Sequence, residues 1–231
     1  MKSRGFTLTE IMISLGIMSV VMITAYGALR QITQSKTILD ESRASQKMAN
    51  AVLSRITREM QLAFDGVPIM PPKNDPTKKF PSTTNLIGET KKIGDQERGD
   101  SIRFIALEGG QYLPDGGTHS GLVQIQYRVE PDPDDKEIHG QKLFYLVREE
   151  TPYIRPFEEA YKNFTMTFPI TKQLAYFTLS YYDSETEKWY DVWGTQKQNE
   201  LPALIFFSLG IVTPSGKVES FTSLVPIRIK E

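Results

Sequence analysis

Residues 4–30 read RGFTLTEIMISLGIMSVVMITAYGALR, and between the two flanking arginines the only charged residue is Glu10. From residue 11 to residue 29 there are 19 uncharged, mostly apolar positions. About 20 such residues cross the hydrocarbon core of a bilayer as a helix, so this stretch predicts a membrane span. Positive charge stands on both flanks, Lys2 and Arg4 before the span and Arg30 and Lys36 after it. The positive-inside bias is therefore slight, and it favours a cytoplasmic N-terminus with the remainder outside. A basic start followed by apolar residues is also the form of a secretory signal peptide, with Ala25 and Gly27 offering small residues for a cut after Gly27. Glu10 has no use in that form, because a carboxylate inside a membrane helix is costly until something neutralises it.

Working outward, no proline occurs from residue 6 to residue 67, and the glycines in that range are Gly16, Gly27 and Gly66. Nothing forces the helix to stop at the membrane. A helix over residues 6–64 would have 59 residues and a length of about 88 Å. Met48, Val52, Ile56, Met60 and Ala63 recur at steps of four or three, one apolar stripe that predicts packing on a globular head. Arg55, Arg58 and Glu59 read as a solvated face beside it. Asp65 and Gly66 followed by Pro68, Pro71 and Pro72 end the helix.

The chain of 231 residues has no cysteine and a net charge of −1. This excludes a disulfide scaffold, a thiolate metal site and a cysteine nucleophile, and argues against nucleic acid as a partner. The average hides an asymmetry: residues 1–64 hold 8 Lys/Arg against 4 Asp/Glu, while residues 65–231 hold 19 against 24. Past residue 100 the apolar period changes to two. Residues 102–107, 122–130, 142–149, 174–182, 188–193, 203–212 and 221–229 read as strands, with a short one near Leu86 and Ile87. Gly, Pro, Asp and Asn clusters separate them, so helix first and sheet afterwards predicts an α+β fold with an antiparallel β head. Trp189 and Trp193, four apart, read as one face of a strand packing over the sheet edge. Tyr176, Tyr181, Tyr182 and Tyr190 read as strand and surface aromatics.

The sequence offers no catalytic constellation. His119 and His139 have no partner at metal-ligand spacing. Residues 210–217 miss a P-loop by spacing and by Val218 where Ser or Thr is required. Asp132, Asp134 and Asp135 fail the calcium-loop pattern at Glu137 and Leu143, leaving a solvated acidic turn, with calcium a minor alternative. No cofactor and no enzymatic activity are expected.

Arg4, Gly5, Phe6, Thr7, Leu8, Thr9 and Glu10 ahead of an uncharged stretch resemble the class III signal of type IV pilins and of the pseudopilins of type II secretion. The resemblance implies that a prepilin peptidase cuts between Gly5 and Phe6, that Phe6 is N-methylated, and that a mature chain of 226 residues keeps the apolar span. It implies too that Glu10 pairs in a staggered bundle with the α-amine of a neighbouring subunit. Thr9 departs from the usual apolar residue there, and its hydroxyl can bond back to the helix. In the head, residues 142–148 with Arg148, residues 174–183 with Tyr181 and Asp183, Trp189 with Trp193, and Leu201-Pro202 are similar to the J-type minor pseudopilins. Residues 68–140 contribute no such motif.

The implied organisation is a leader at 1–5, a transmembrane helix at 6–29, an amphipathic stalk at 30–66 and a periplasmic head at 67–231. The implied partners are the I-type and K-type minor pseudopilins, the major pseudopilin, prepilin peptidase and inner-membrane lipid. The implied work is priming of a pseudopilus that exports folded proteins across the outer membrane. Two other readings stay open at this point: a minor pilin of a type IV pilus, and a secreted β-rich enzyme or binding protein behind an ordinary signal peptide.

Overall fold

The computed structural model describes residues 7–66, 84–93, 97–107, 121–134, 136–152, 165–194 and 200–227. Helix α1 runs from Leu8 to Gln61. In its apolar half, Ser14, Ser19 and Thr24 each donate a hydroxyl hydrogen bond to the carbonyl four residues back, at 2.8–3.1 Å. Those hydroxyls hide their polarity inside the helix and leave its surface apolar. The chain divides into two compact units, Met1–Ala44 and Ser45–Glu231. In the first, every described side chain from Thr7 to Asp40 is exposed. In the second, Ser45, Ala49, Val52, Ile56, Glu59 and Met60 of α1 are buried, at the steps of four and three that one helical face requires.

The second unit also holds the strands. They are β1 (Leu86–Glu89), β2 (Lys92–Ile93), β3 (Glu97–Arg98), β4 (Ser101–Leu107), β5 (Leu122–Pro131), β6 (Glu137–Ile138) and β7 (Gln141–Lys142). After them come β8 (Phe144–Pro152), β9 (Met166–Asp183), β10 (Lys188–Tyr190), β11 (Leu204–Val212) and β12 (Val218–Pro226). The main sheet has the order β1-β4-β5-β8-β9-β11-β12, with β10 added to β9. Every strand pairing in it is antiparallel. This is the α+β, pilin-like architecture that the sequence predicts. Val123, Ile125, Tyr127 and Val129 of β5 alternate as buried residues with half-buried neighbours, and they join Ile56 and Met60 of α1 in one core.

Four details differ from the sequence expectation. The helix stops at Gln61 rather than near residue 64, because Phe64 N–H donates to Ile105 O at 2.8 Å and Leu107 N–H to Leu62 O at 2.9 Å. Pairing with β4 competes for those backbone groups and wins. Strand β9 starts at Met166, not residue 174, and so contains Pro169. Pro169 is tolerated because β8 flanks this part while β11 pairs only from Leu174 onward. Strand β12 lies about three residues earlier than expected. The strand read at 188–193 ends at Tyr190, so the two tryptophans do not share a face. Trp189 is 49% exposed and stacks 5.2 Å from Tyr182, whereas Trp193 is 2% exposed and packs 6.1 Å from Tyr181.

Tyr181 is likewise a core residue rather than a surface one. Trp193 and Gly88 exchange two backbone hydrogen bonds of 3.0 Å, which closes the free edge of β1. A Cβ on Gly88 would stand 1.9 Å from the Tyr181 hydroxyl and 2.2 Å from its ring. Tyr181 is wholly buried and cannot retreat. Gly88→Ala is therefore expected to cost about 1–3 kcal/mol by overpacking, read as a lower urea midpoint of the full chain in mild detergent with an unchanged m-value.

Candidate functional site

The N-terminal motif is built on a helix start. Thr7 stands at the N-cap of α1 and Glu10 three residues on, the Thr-x-x-Glu spacing of a capping box. Glu10 Oε2 accepts two hydrogen bonds of 2.9 Å, one from Thr7 N–H and one from the Thr7 hydroxyl. The Glu10 N–H returns a longer bond of 3.4 Å to Thr7 Oγ1. Glu10 Oε1 makes no hydrogen bond among the described residues. The carboxylate thus satisfies the open helix end with one oxygen and keeps the other available. Thr9 does not bond back to the helix; its hydroxyl meets that of Thr7 at 3.1 Å. Gly5 and Phe6 lie outside the described residues.

Behind this cap, α1 is long and apolar enough to cross a membrane, with none of the apolar window buried inside the protein. Leu8, Ile11, Met12, Ile13, Leu15, Ile17 and Met18 are each more than half exposed. The 19 uncharged positions rise about 28 Å, close to the roughly 30 Å of a bilayer's hydrocarbon core.

A second polar site joins α1 to the sheet, and sequence reasoning missed it. Glu59, read as part of a solvated face, is 4% exposed. Its carboxylate accepts from Arg148 Nε at 3.0 and 3.1 Å, from the Tyr127 hydroxyl, and from Arg55 Nε at 3.2 Å. Arg148 Nη1 also donates to Glu150 Oε2 at 2.6 Å. Arg148 is wholly buried and Glu150 nearly so. Among the described residues the two carboxylates face Arg148 and the partly exposed Arg55, the pairing of opposite charges that burial demands.

Burial pulls the Arg148 guanidinium down, but the bonds to Glu59 and Glu150 more than offset it and hold the group above its ordinary range. Burial, with the Glu59 carboxylate beside it, pushes the Tyr127 phenol well above its usual value. These groups fix the rotation and height of the later turns of α1 against β5 and β8. Arg55–Glu59 at i,i+4 was visible in the sequence; Arg148 lies 89 residues further on and gave no local signal.

A smaller pin ties the other end of the sheet. Asp100 is buried, accepting from Arg98 Nη2 at 2.7 Å and from Leu179 N–H at 2.8 Å. In the acidic turn, Asp132 Oδ1 accepts from Asp134 N–H at 2.8 Å and Asp134 pairs with Lys136 at 2.6 Å; Asp135 lies outside the described residues. No group of three or more potential metal ligands occurs among the described residues. His139 has a φ of +49° and Gly140 of +81°, the two left-handed residues of the β6–β7 hairpin turn.

Residues 1–26 match the family model of the prokaryotic N-terminal methylation motif. No curated protein matches the chain. The matched motif covers the start of the chain through Tyr26, which includes the cap at Thr7, Glu10 and most of the uncharged stretch. Proteins built on this motif are structural rather than catalytic. The apolar helix and the motif together fit a membrane-anchored protein. A prepilin-like class III signal stands at the head of a long helix whose later turns pack on an antiparallel sheet, a pilin-like architecture.

Proposed function

We propose that the chain is a minor pseudopilin of a type II secretion system, of the J type. In this reading it is anchored in the inner membrane with its N-terminus cytoplasmic and its head periplasmic. Prepilin peptidase cuts between Gly5 and Phe6, Phe6 is methylated, and the freed α-amine becomes a cation at the membrane end of the helix. Glu10 of one subunit then meets the α-amine of the next. The observation that carries the reading is the half-satisfied carboxylate: Oε2 is held by Thr7 while Oε1 has no partner among the described residues. A buried charge that sets register is the best-attested use of such a group.

The head supports the J assignment through the residues that resemble it. Arg148 on β8 anchors the buried cluster, and Trp193 closes the β1 edge. Leu201, buried before β11, joins the common core. The partners are the I-type and K-type minor pseudopilins and the major pseudopilin, and the work is mechanical: packing of apolar helices into a filament tip that primes export.

The mature N-terminus tests this. Intact mass and N-terminal sequencing of protein from cell envelopes are expected to give N-methyl-Phe6, with the apolar span retained. A start near Ala28 would mean an ordinary signal peptide and overturn the proposal. Capture of I-type and K-type pseudopilins rather than pilus subunits, by the tagged full chain solubilised from envelopes, is the expected second result.

A further inference from the structure

We infer that the outer face of the sheet, where β1, β4 and β5 run side by side, holds a binding site for a single carboxylate, received by the fork of Arg103. This goes beyond the pilin-type reading and stands independently of it. Ile102 and Phe104 are buried in the core that α1 shares, so Arg103 between them faces the other way. It lies directly opposite Gln126 of β5 and Ile87 of β1. A cavity of about 100 Å³ opens there, lined by Ile87, Glu89, Ser101, Arg103 and Gln126. It shares Glu89, Ser101 and Gln126 with a wider cleft of about 340 Å³ that continues past Thr90 and Lys91. The inner cavity is several times the roughly 10–15 Å³ that a single water needs and has room for a carboxylate group.

Arg103 sets this cleft apart from a merely solvated groove. Its Nη2 is buried and has no hydrogen-bond partner among the described residues. By contrast, Arg98, Arg128 and Arg148 each meet two carboxylates. A planar guanidinium with a free, desolvated N–H is suited to a planar carboxylate, which it can bind with two parallel hydrogen bonds. Burial pulls the Arg103 guanidinium below its ordinary value, and the Glu89 charge only partly offsets this.

The charges around the cleft select the ligand. Arg128, at the outer rim, is already engaged by Glu130 and Glu149. Lys91 and Arg103 stand against Glu89 on the cleft lining, and Arg128 with its two carboxylates adds a net negative charge at the rim, so the cleft takes no more than one added negative charge. A phosphate dianion would bring a second negative charge up to Glu89 and is disfavoured. Ser101 and Gln126 supply neutral donors around the entering group. The same chemistry is offered by a free small acid and by an acidic side chain on an extended peptide.

The test uses the full chain in detergent micelles with ¹⁵N-labelled arginine, following side-chain Nε–H resonances assigned by Arg103→Lys. The probes are sodium acetate, acetyl-Gly-Glu-Gly-amide, its glutamine counterpart and inorganic phosphate, all at constant ionic strength. The Arg103 resonance is expected to shift saturably with acetate and the glutamyl peptide, at least about tenfold more tightly than with the glutamine peptide or phosphate. The Arg148 resonance stays still. Tighter binding of the peptide than of acetate identifies an acidic side chain as the ligand; equal binding identifies a free acid. With ¹⁵N-labelled glutamine, the Gln126 side-chain amide that lines the same cavity is expected to shift with acetate in the unmodified protein and to show no saturable shift in Arg103→Gln, the unmoved Arg148 resonance showing that the fold is kept. Lys91→Gln, at an exposed position, is expected to weaken half-saturation about two- to fivefold. No saturable shift, an equal response to the glutamine peptide, preference for phosphate, or an unchanged half-saturation in Lys91→Gln would each overturn the site.

Discussion

Replacing Arg148 by methionine is expected to lower the unfolding free energy of the head by about 3–5 kcal/mol, the usual cost of breaking a buried ion cluster from one side. Methionine replaces the aliphatic stem of the arginine but not its guanidinium, so most of the loss is electrostatic rather than apolar. It takes the guanidinium away from Glu59 and Glu150, both nearly inaccessible to water, and leaves Glu59 the partly exposed Arg55. Arg148→Lys keeps the charge but not the fork that reaches Glu59 and Glu150 together, and is expected to recover part of the loss. Replacing all three charges, as Glu59→Gln, Arg148→Met and Glu150→Gln, is expected to restore most of the stability, because the two buried carboxylate charges go together with the guanidinium. Urea unfolding of the full chain in mild detergent, followed by tryptophan fluorescence, reads all three. A cost below about 1 kcal/mol for Arg148→Met would mean that the cluster is solvated in practice and does not hold α1 to the sheet.

The same cluster marks where the sequence stops being legible. Strand β5 was plain because a sheet with one buried face writes its period of two into adjacent residues: Val123, Ile125, Tyr127 and Val129. The stripe from Val52 to Met60 was plain for the helical equivalent of that reason. Glu59 sits on the same face as that stripe, but a glutamate beside two arginines has an obvious local partner at i,i+4, and its deeper one is reached only through tertiary folding. The tryptophans failed differently. Spacing alone placed Trp189 and Trp193 on one strand face, yet the chain turns after Tyr190 and Gly194 adopts a φ of +70°, sending Trp193 into the core beneath Tyr181. The capping role of Glu10 was written in Thr7-x-x-Glu10 and went unread because the apolar run dominates the local pattern. Arg103 was illegible for a third reason: only strand pairing shows that Gln126, Ile87 and Glu89 surround it.

Glu10→Leu is expected to abolish co-assembly while leaving the monomer well inserted and normally processed. The substitution removes the one ion from the apolar stretch, so a lone helix sits in lipid at least as comfortably as before. It also removes the acceptor that holds Thr7, which frays the first turn of α1. On the proposed reading, what it takes from the assembled state is the partner of the neighbouring α-amine, and with it the feature that distinguishes one stagger of apolar helices from the next. Generic apolar packing does not supply that distinction, because lipid tails are as apolar as the helices themselves. Crosslinked or co-purified pilin-type partners are therefore expected to fall by about tenfold or more, while the mass still reports cleavage at Gly5–Phe6. Glu10→Gln separates the two roles: its amide oxygen can still accept from Thr7, but it carries no charge for the amine. If the charge sets the register, Glu10→Gln assembles as poorly as Glu10→Leu; if the cap is what matters, Glu10→Gln assembles normally and Thr7→Ala, which removes the capping hydroxyl, is the variant that fails.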